Sequence, residues 1–294
     1  HRVRVYERSP KSTGASVRNF GMVWPIGQPA GALANLAYRS RDLWVEVMEA
    51  AGLPYTPEGS LHLCHHEDEE AVAREFAERE PERAQWISAP LAIEKSLAVK
   101  PRGLRGALYS RHEVIVDPRR TIATLPAFLT ERYGVEFQFN TAVRDLTKIE
   151  ADYKIVCAGD DFQTLYPEIW TALGITRCKL QMMRTAPQPG GWRLGPALAA
   201  GLTLRHYESF RGCSSLGLLV ERFRTTMPDY EKYGIHVMVS QTSLGELTIG
   251  DSHEYSLAVD IFDKPELDEW ILNYLAPFAE FRHGEIVPRW HGVY

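Results

Sequence analysis

Two spacings of apolar residues alternate along this chain. From Arg2 to Glu7 apolar and polar positions take turns, with Val3 and Val5 on one side and Arg2, Arg4 and Tyr6 on the other, which predicts a short strand ending at Glu7. A loop of small and turn-forming residues follows from Ser9 to Gly31. The period then becomes helical from about Ala32 to Ala51. Leu36, Leu43, Val47 and Ala50 form one stripe, Trp44 and Met48 an adjoining one, and Gly52 with Pro54 supplies the stop. Gly59–Cys64 reads as a strand, Glu67–Glu80 as a charged helix with a solvated face, and Ala89–Val99 as a short helix with Leu91, Ile93 and Leu97 available for packing.

Gly106–Asp117 predicts a pair of strands, and Pro118 opens a helix that ends near Tyr133-Gly134. Val135–Phe139, Ala142–Leu146 and Asp152–Cys157 are expected to be strands, the last running into Ala158-Gly159. The second half is richer in strands, at Leu180–Thr185, Leu202–Tyr207, Ile235–Gln241 and Glu246–Asp251, before a helix from Glu266 to about Phe278. With α/β order at both flanks of a mixed sheet, two interleaved domains are expected rather than two beads. Their approximate boundaries are 1–55 with 110–175, and 56–109 with 176–294.

Composition narrows the function classes. The 294 residues are 45% hydrophobic and 24% charged, with 33 Lys plus Arg against 38 Asp plus Glu and a net charge of −5. That balance suits a soluble globular protein and not a nucleic-acid binder, which needs a basic face. No apolar run approaches the roughly 18–20 residues of a membrane span. The four cysteines, Cys64, Cys157, Cys178 and Cys213, stand far apart, so reduced thiols in a cytoplasmic protein are expected. The start at His1 and the end at Tyr294 give the chain the look of a segment of a longer protein.

Several chemistries lack their signatures. There is no G-x-G-x-x-G, Walker A or G-x-S-x-G motif. Cys64-His65-His66-Glu67 has no second pair at ligand spacing and reads as a polar turn. His236 and His253 could share one pocket, but they lack a placed carboxylate, so no metal site is expected. Glu7 is different. A carboxylate closing a Rossmann-type strand can grip ribose hydroxyls.

Glu7-Arg8-Ser9, followed by Thr13-Gly14-Ala15-Ser16-Val17-Arg18-Asn19-Phe20-Gly21-Met22-Val23-Trp24-Pro25, resembles the flavoproteins of the D-amino-acid oxidase, glycine oxidase and sarcosine oxidase superfamily. Asp152–Gly159, Gly245–Asp251 and the W-x-G segment of Arg289–Tyr294 match the same superfamily in order. The resemblance implies an interrupted Rossmann-like FAD-binding domain joined to a mixed β-sheet substrate domain, α/β overall. It implies FAD contacts from Glu7, Arg8, Ala15, Ser16, Asn19, Phe20, Gly21, Met22, Val143, Ala158 and Gly159. Small residues there let the backbone approach phosphate and ring closely.

Ala15–Met22 and Gly250–Tyr255 are most similar to a branch associated with aminophosphonate catabolism. The implied reaction is hydride transfer from an amine-bearing carbon to flavin, giving an imine that water hydrolyses, with oxygen or another electron acceptor as reoxidant. The partners would be a small amine and that acceptor. The superfamily often needs no strong catalytic base, so none is named. Oxidases of carboxylate substrates in the superfamily often carry an Arg shortly after W-x-G, and Tyr294 stands there instead. Arg205, His206, Tyr207, His253, Arg289, His291 and Tyr294 are therefore the expected substrate-binding residues. The alternatives are a glycine-, sarcosine- or D-amino-acid-type oxidase, and a flavin-free binding remnant.

Overall fold

A computed structural model describes residues 1–294. The first strand, β1 (Arg4–Tyr6), leads through the loop into β2 (Met22–Val23) and helix α1 (Ala32–Ala50). Next come β3 (Tyr55–Thr56), β4 (Ser60–Cys64), α2 (Glu67–Arg79), β5 (Gln85–Ser88), α3 (Ala89–Lys95), β6 (Gly106–Ser110) and β7 (Val114–Val116). Helix α4 (Pro118–Tyr133), β8 (Glu136–Gln138), α5 (Pro167–Leu173), β9 (Arg177–Thr185), β10 (Ala197–Ala200) and α6 (Gly201–His206) follow. The chain closes with α7 (Leu216–Thr226), α8 (Pro228–Lys232), β11 (Met238–Gln241), β12 (Leu247–Gly250), β13 (Glu254–Ser256), α9 (Pro265–Leu275) and β14 (Ile286–Val293).

One nine-stranded mixed sheet organises the molecule, in the order β13-β9-β12-β11-β10-β4-β6-β5, with β14 on the other edge of β9. The β10–β4 pair is parallel and its neighbours are antiparallel. A three-stranded sheet (β2-β7-β3) and the parallel pair β1-β8 complete the set. This is the mixed α/β architecture expected. Packing of α2, α6, α7 and α9 against one face of the large sheet builds a core around Phe76, Phe210, Phe223, Leu267 and Ile271. No helix is long and apolar enough to cross a membrane.

Local signals explain the best-placed elements. Asp117 caps α4 by accepting from the backbone N–H groups of Arg119 and Arg120, Pro118 occupies its first turn, and Gly134 closes it in the left-handed region. Helix α1 keeps its expected bounds but buries the other stripe. Met48 is fully buried and Trp44 packs beside it, whereas Leu36 and Leu43 face solvent. Helix α2 likewise hides Val72, Ala73 and Phe76 beneath its acidic face.

Three expected strands are corrected. Residues 202–207 belong mostly to helix α6, because Leu202, Thr203 and Leu204 are all buried and a helical turn can pack them where a strand would expose alternate ones. Residues 142–145 and 152–157 are irregular, since no neighbouring strand offers them a ladder, and Leu146 opens a 3-10 turn; Tyr153 and Ile155 are 86% and 88% exposed.

Candidate active site

The loop from Gly14 to Gln28 lies across the face of the large sheet opposite α9. Phe20 packs with Leu180 and Met182 of β9, Ala199 of β10 and Met238 of β11, and Met22, Trp24, Tyr207 and Trp290 surround them. The Ser240 hydroxyl donates to the Phe20 carbonyl at 2.7 Å. Asn19 braces the loop internally: its amide donates to the Ala15 and Ser16 carbonyls at 2.8 and 3.2 Å, and its oxygen accepts from Gly21 N–H at 2.8 Å. Gly21 has φ +72°, and a Cβ there would run into the Val116 carbonyl. The glycine therefore serves the close passage over β7.

The next turn is clamped from both sides. Buried Glu113 accepts from Ile26 N–H and from the Ser60 hydroxyl, each at 3.0 Å. Arg83 donates to the Gln28, Pro25 and Ile26 carbonyls at 2.6, 3.1 and 3.2 Å. These bonds set Trp24 against His62 and Tyr207, with ring centroids 5.7 and 6.3 Å apart.

Beside Tyr207 three imidazoles converge. His206 ends α6, His236 precedes β11 and His253 follows β12. The His206 and His236 rings stack with centroids 3.8 Å apart, and His253 lies 4.8 and 5.2 Å from them. His253 Nδ1 faces the Gly234 carbonyl at 3.0 Å. His236 and Asp251 exchange both backbone hydrogen bonds, at 3.2 and 2.8 Å, and their side chains meet at 3.1 Å between Nε2 and Oδ1. The expectation that these histidines lack a placed carboxylate is thus corrected by Asp251.

Burial governs the protonation of this cluster. It pushes His206 down to about 3, with His253, Arg205 and Arg211 adding repulsion. Burial also holds His236 well below the usual imidazole value and raises Asp251 to about 6. Buried polar atoms without a hydrogen-bond partner gather here too, among them Trp24 Nε1, both ring nitrogens of His62, His236 Nδ1 and Asp251 Oδ1. Such a concentration is expensive in a folded protein unless a ligand, an ion or ordered water satisfies it.

Other expected substrate residues go elsewhere. Arg205 reaches Glu231 at 3.5 Å. Strand alternation turns Arg289 and His291 away from Trp290 toward the α9 side, where they pair with Asp268 at 3.0 Å and Asp263 at 2.8 Å. There Arg289, Asp268, Glu269 and Gln181 line a hollow of about 310 Å³. Tyr294 pairs through its backbone with Cys178, is half exposed, and rests its ring near that thiol.

The expected nucleotide residues come together at the end of β1. Glu7 accepts from Ser9 N–H at 2.8 Å, and its carbonyl accepts from Thr141 N–H at 2.9 Å, two residues before half-buried Val143. Arg8 pairs with Asp161 at 2.6 Å, which brings Ala158 and Gly159 alongside. A Cβ built at Gly14 or Gly159 meets no protein atom within 4 Å, so both backbones are open to a phosphate. Across residues 1–294 the sequence matches the DAO family, described as FAD dependent oxidoreductase. The chain belongs to this family.

This FAD-dependent oxidoreductase has no match among curated proteins at the level of sequence. Its fold is shared with solved structures. Glycine oxidase from Geobacillus kaustophilus aligns with TM-score 0.67 and 19% identity, over 100% of this chain and 76% of that one. L-proline dehydrogenase from P. horikoshii gives 0.69 and 17%, over 100% and 75%. The dithionite-reduced, FAD-bound L-alpha-glycerophosphate oxidase from Mycoplasma pneumoniae gives 0.66 and 15%, over 99% and 76%.

Sequence reasoning about the oxidoreductase missed Asp251 and Arg184 and left His236 without a role. Arg184 projects on the loop side of β9, donates to the Thr248 hydroxyl at 3.2 Å and lies over the Trp290 ring at 4.7 Å. Alternation along β9 with Leu180 and Met182 was the available signal. The Asp251–His236 pairing is set by strand register and has no local signature.

Proposed function

We propose that the enzyme oxidises the carbon–nitrogen bond of a small amine bearing an anionic group, an aminophosphonate related to 2-aminoethylphosphonate. The observation that carries this reading is the histidine cluster beside Tyr207, where dispersed imidazole and phenol groups take the place of a flat guanidinium fork. Arg289 and His291 are committed to Asp268 and Asp263. A carboxylate is best held by a bidentate Arg, whereas three phosphonate oxygens suit several separate donors. His206, Tyr207, His236 and His253 are the substrate-facing residues in this reading.

FAD, when bound, supplies the two-electron oxidation of the amine-bearing carbon. Glu7, Arg8, Val143, Ala158 and Gly159 would hold its nucleotide side, and Ala15, Ser16, Asn19, Phe20, Gly21 and Met22 its ring side. Residues 1–55 with 110–175 then form the cofactor half, and 56–109 with 176–294 the substrate half. Protein groups bind and orient the amine and keep bulk water from the reacting carbon. Four free cysteines fit a cytoplasmic setting.

The test is steady-state turnover of the holoenzyme on 2-aminoethylphosphonate and its N-methyl and hydroxylated relatives, against glycine, sarcosine and D-alanine. Higher kcat/KM for the phosphonates is expected, with oxygen consumption separating an oxidase from a dehydrogenase. If the carboxylates win, the enzyme is an amino-acid oxidoreductase of the glycine-oxidase kind.

A further inference from the structure

An amine dissolved at neutral pH is an ammonium ion, and its nitrogen has no lone pair to assist loss of hydride from the adjacent carbon. One proton must leave first. Resting on the reading above, we propose that His236, oriented by Asp251, takes that proton from the substrate ammonium within the site. The N–H bond breaks, its electron pair stays on nitrogen, and the proton moves to the imidazole, so a neutral amine and an imidazolium result.

Three observations converge on His236. It alone of the three clustered imidazoles has a carboxylate at one ring nitrogen, with Nε2 3.1 Å from Asp251 Oδ1. That contact places a proton on Nε2 and leaves the Nδ1 lone pair as acceptor, and Nδ1 is buried with no protein partner. The 3.1 Å approach also lies off the line of a hydrogen bond, so Oδ1 lacks a directed donor. A positive charge on the His236 ring would stabilise that carboxylate through charge, without needing a directed bond. The double backbone hydrogen bond between the two residues fixes both Cα positions, which limits the motion required to a side-chain rotation.

The surroundings keep the acceptor unprotonated before substrate arrives. His206 stacks on His236 at 3.8 Å, His253 lies 5.2 Å from His236 and 4.8 Å from His206, Tyr207 presents an edge at 5.6 Å, and His62 and Arg205 add repulsion toward a proton. Arg205 is itself partly neutralised by Glu231 on α8. A bound anionic group on the substrate reverses the balance by stabilising the imidazolium. The same pocket thus releases its proton when free and accepts one when filled.

The experiment compares wild type, Asp251→Asn and His236→Asn holoenzymes, each checked by its flavin spectrum and melting temperature. The kcat/KM of the best amine is followed from pH 6 to pH 10. Without an internal acceptor only the free amine, roughly one part in a thousand at neutral pH for an amine with a pKa near 10, can react. The His236→Asn enzyme should therefore lose ~100-fold or more at pH 7 and recover toward pH 10, with Asp251→Asn in between. A second readout is calorimetric: chemically reduced enzyme binds the amine without turnover, in buffers of different ionisation enthalpy. Wild type should release almost no net proton, and His236→Asn close to one per site. Parallel pH profiles in all three proteins, a full proton released by wild type, or a stoichiometric divalent metal held by the cluster would each overturn the proposal. Failure of every amine to reduce the flavin would instead overturn the functional reading beneath it.

Discussion

Ser240 on β11 reaches across 220 positions of sequence to donate its hydroxyl to the main-chain carbonyl of Phe20, in a buried contact of 2.7 Å. This bond pins the loop expected at the flavin ring to the sheet expected to hold the substrate. Ser240→Ala leaves a buried carbonyl without its donor, which costs about 1–2 kcal/mol. FAD affinity measured by flavin-fluorescence quenching should fall several-fold, and the apo melting temperature with it. An unchanged affinity would detach the loop from cofactor binding.

Glu7 uses one carboxylate oxygen on Ser9 and stands half exposed at the end of β1. As a charged acceptor for ribose hydroxyls it should contribute about 1.5–3 kcal/mol. Glu7→Ala is expected to weaken FAD binding about tenfold or more, by titration of the apoprotein. If affinity survives, another residue holds the ribose.

Gly21 tests the loop without any cofactor. Its positive φ and its approach to the Val116 carbonyl make a side chain costly in the protein alone. Gly21→Val should lower the melting temperature of the apoprotein by several degrees, equivalent to about 1 kcal/mol or more. Equal stability of the two apoproteins would show that the loop sits differently.

His62 is fully buried, has no partner at either ring nitrogen, and burial lowers it to about 3. A folded-state value below the unfolded one means that the unfolded chain takes up the proton first. Stability should be complete above about pH 6.5 and decline as the pH falls from there toward 3. His62→Leu, which removes both unpartnered nitrogens, should flatten that decline in melting temperature between pH 7 and pH 5. A decline equally steep in the variant would assign the acid sensitivity to other groups.

What could be read in advance followed from local chemistry. The limits of α1 and α4 were legible because glycine and proline punctuate both, and Asp117 caps the second. The strand alternation of Leu202–Tyr207 misled because both sides of that segment are buried, which removes the contrast a period needs. Grouping Arg289 and His291 with the residues around Trp290 ignored alternation along β14, which sends odd and even positions to opposite faces. The His236–Asp251 pair could not be read at all, because only the register between distant segments creates it.

The β1–β8 pairing joins Arg4 to Glu136, 132 residues later. On a ribosome adding about 5–20 residues per second, β1 would wait roughly 7–26 s for its partner to be made. Ser240 would reach the Phe20 loop later still. The segments expected to meet the nucleotide therefore wait for partners made later, β1 for β8 and the Phe20 loop for Ser240, and their backbone hydrogen bonds stay open until then.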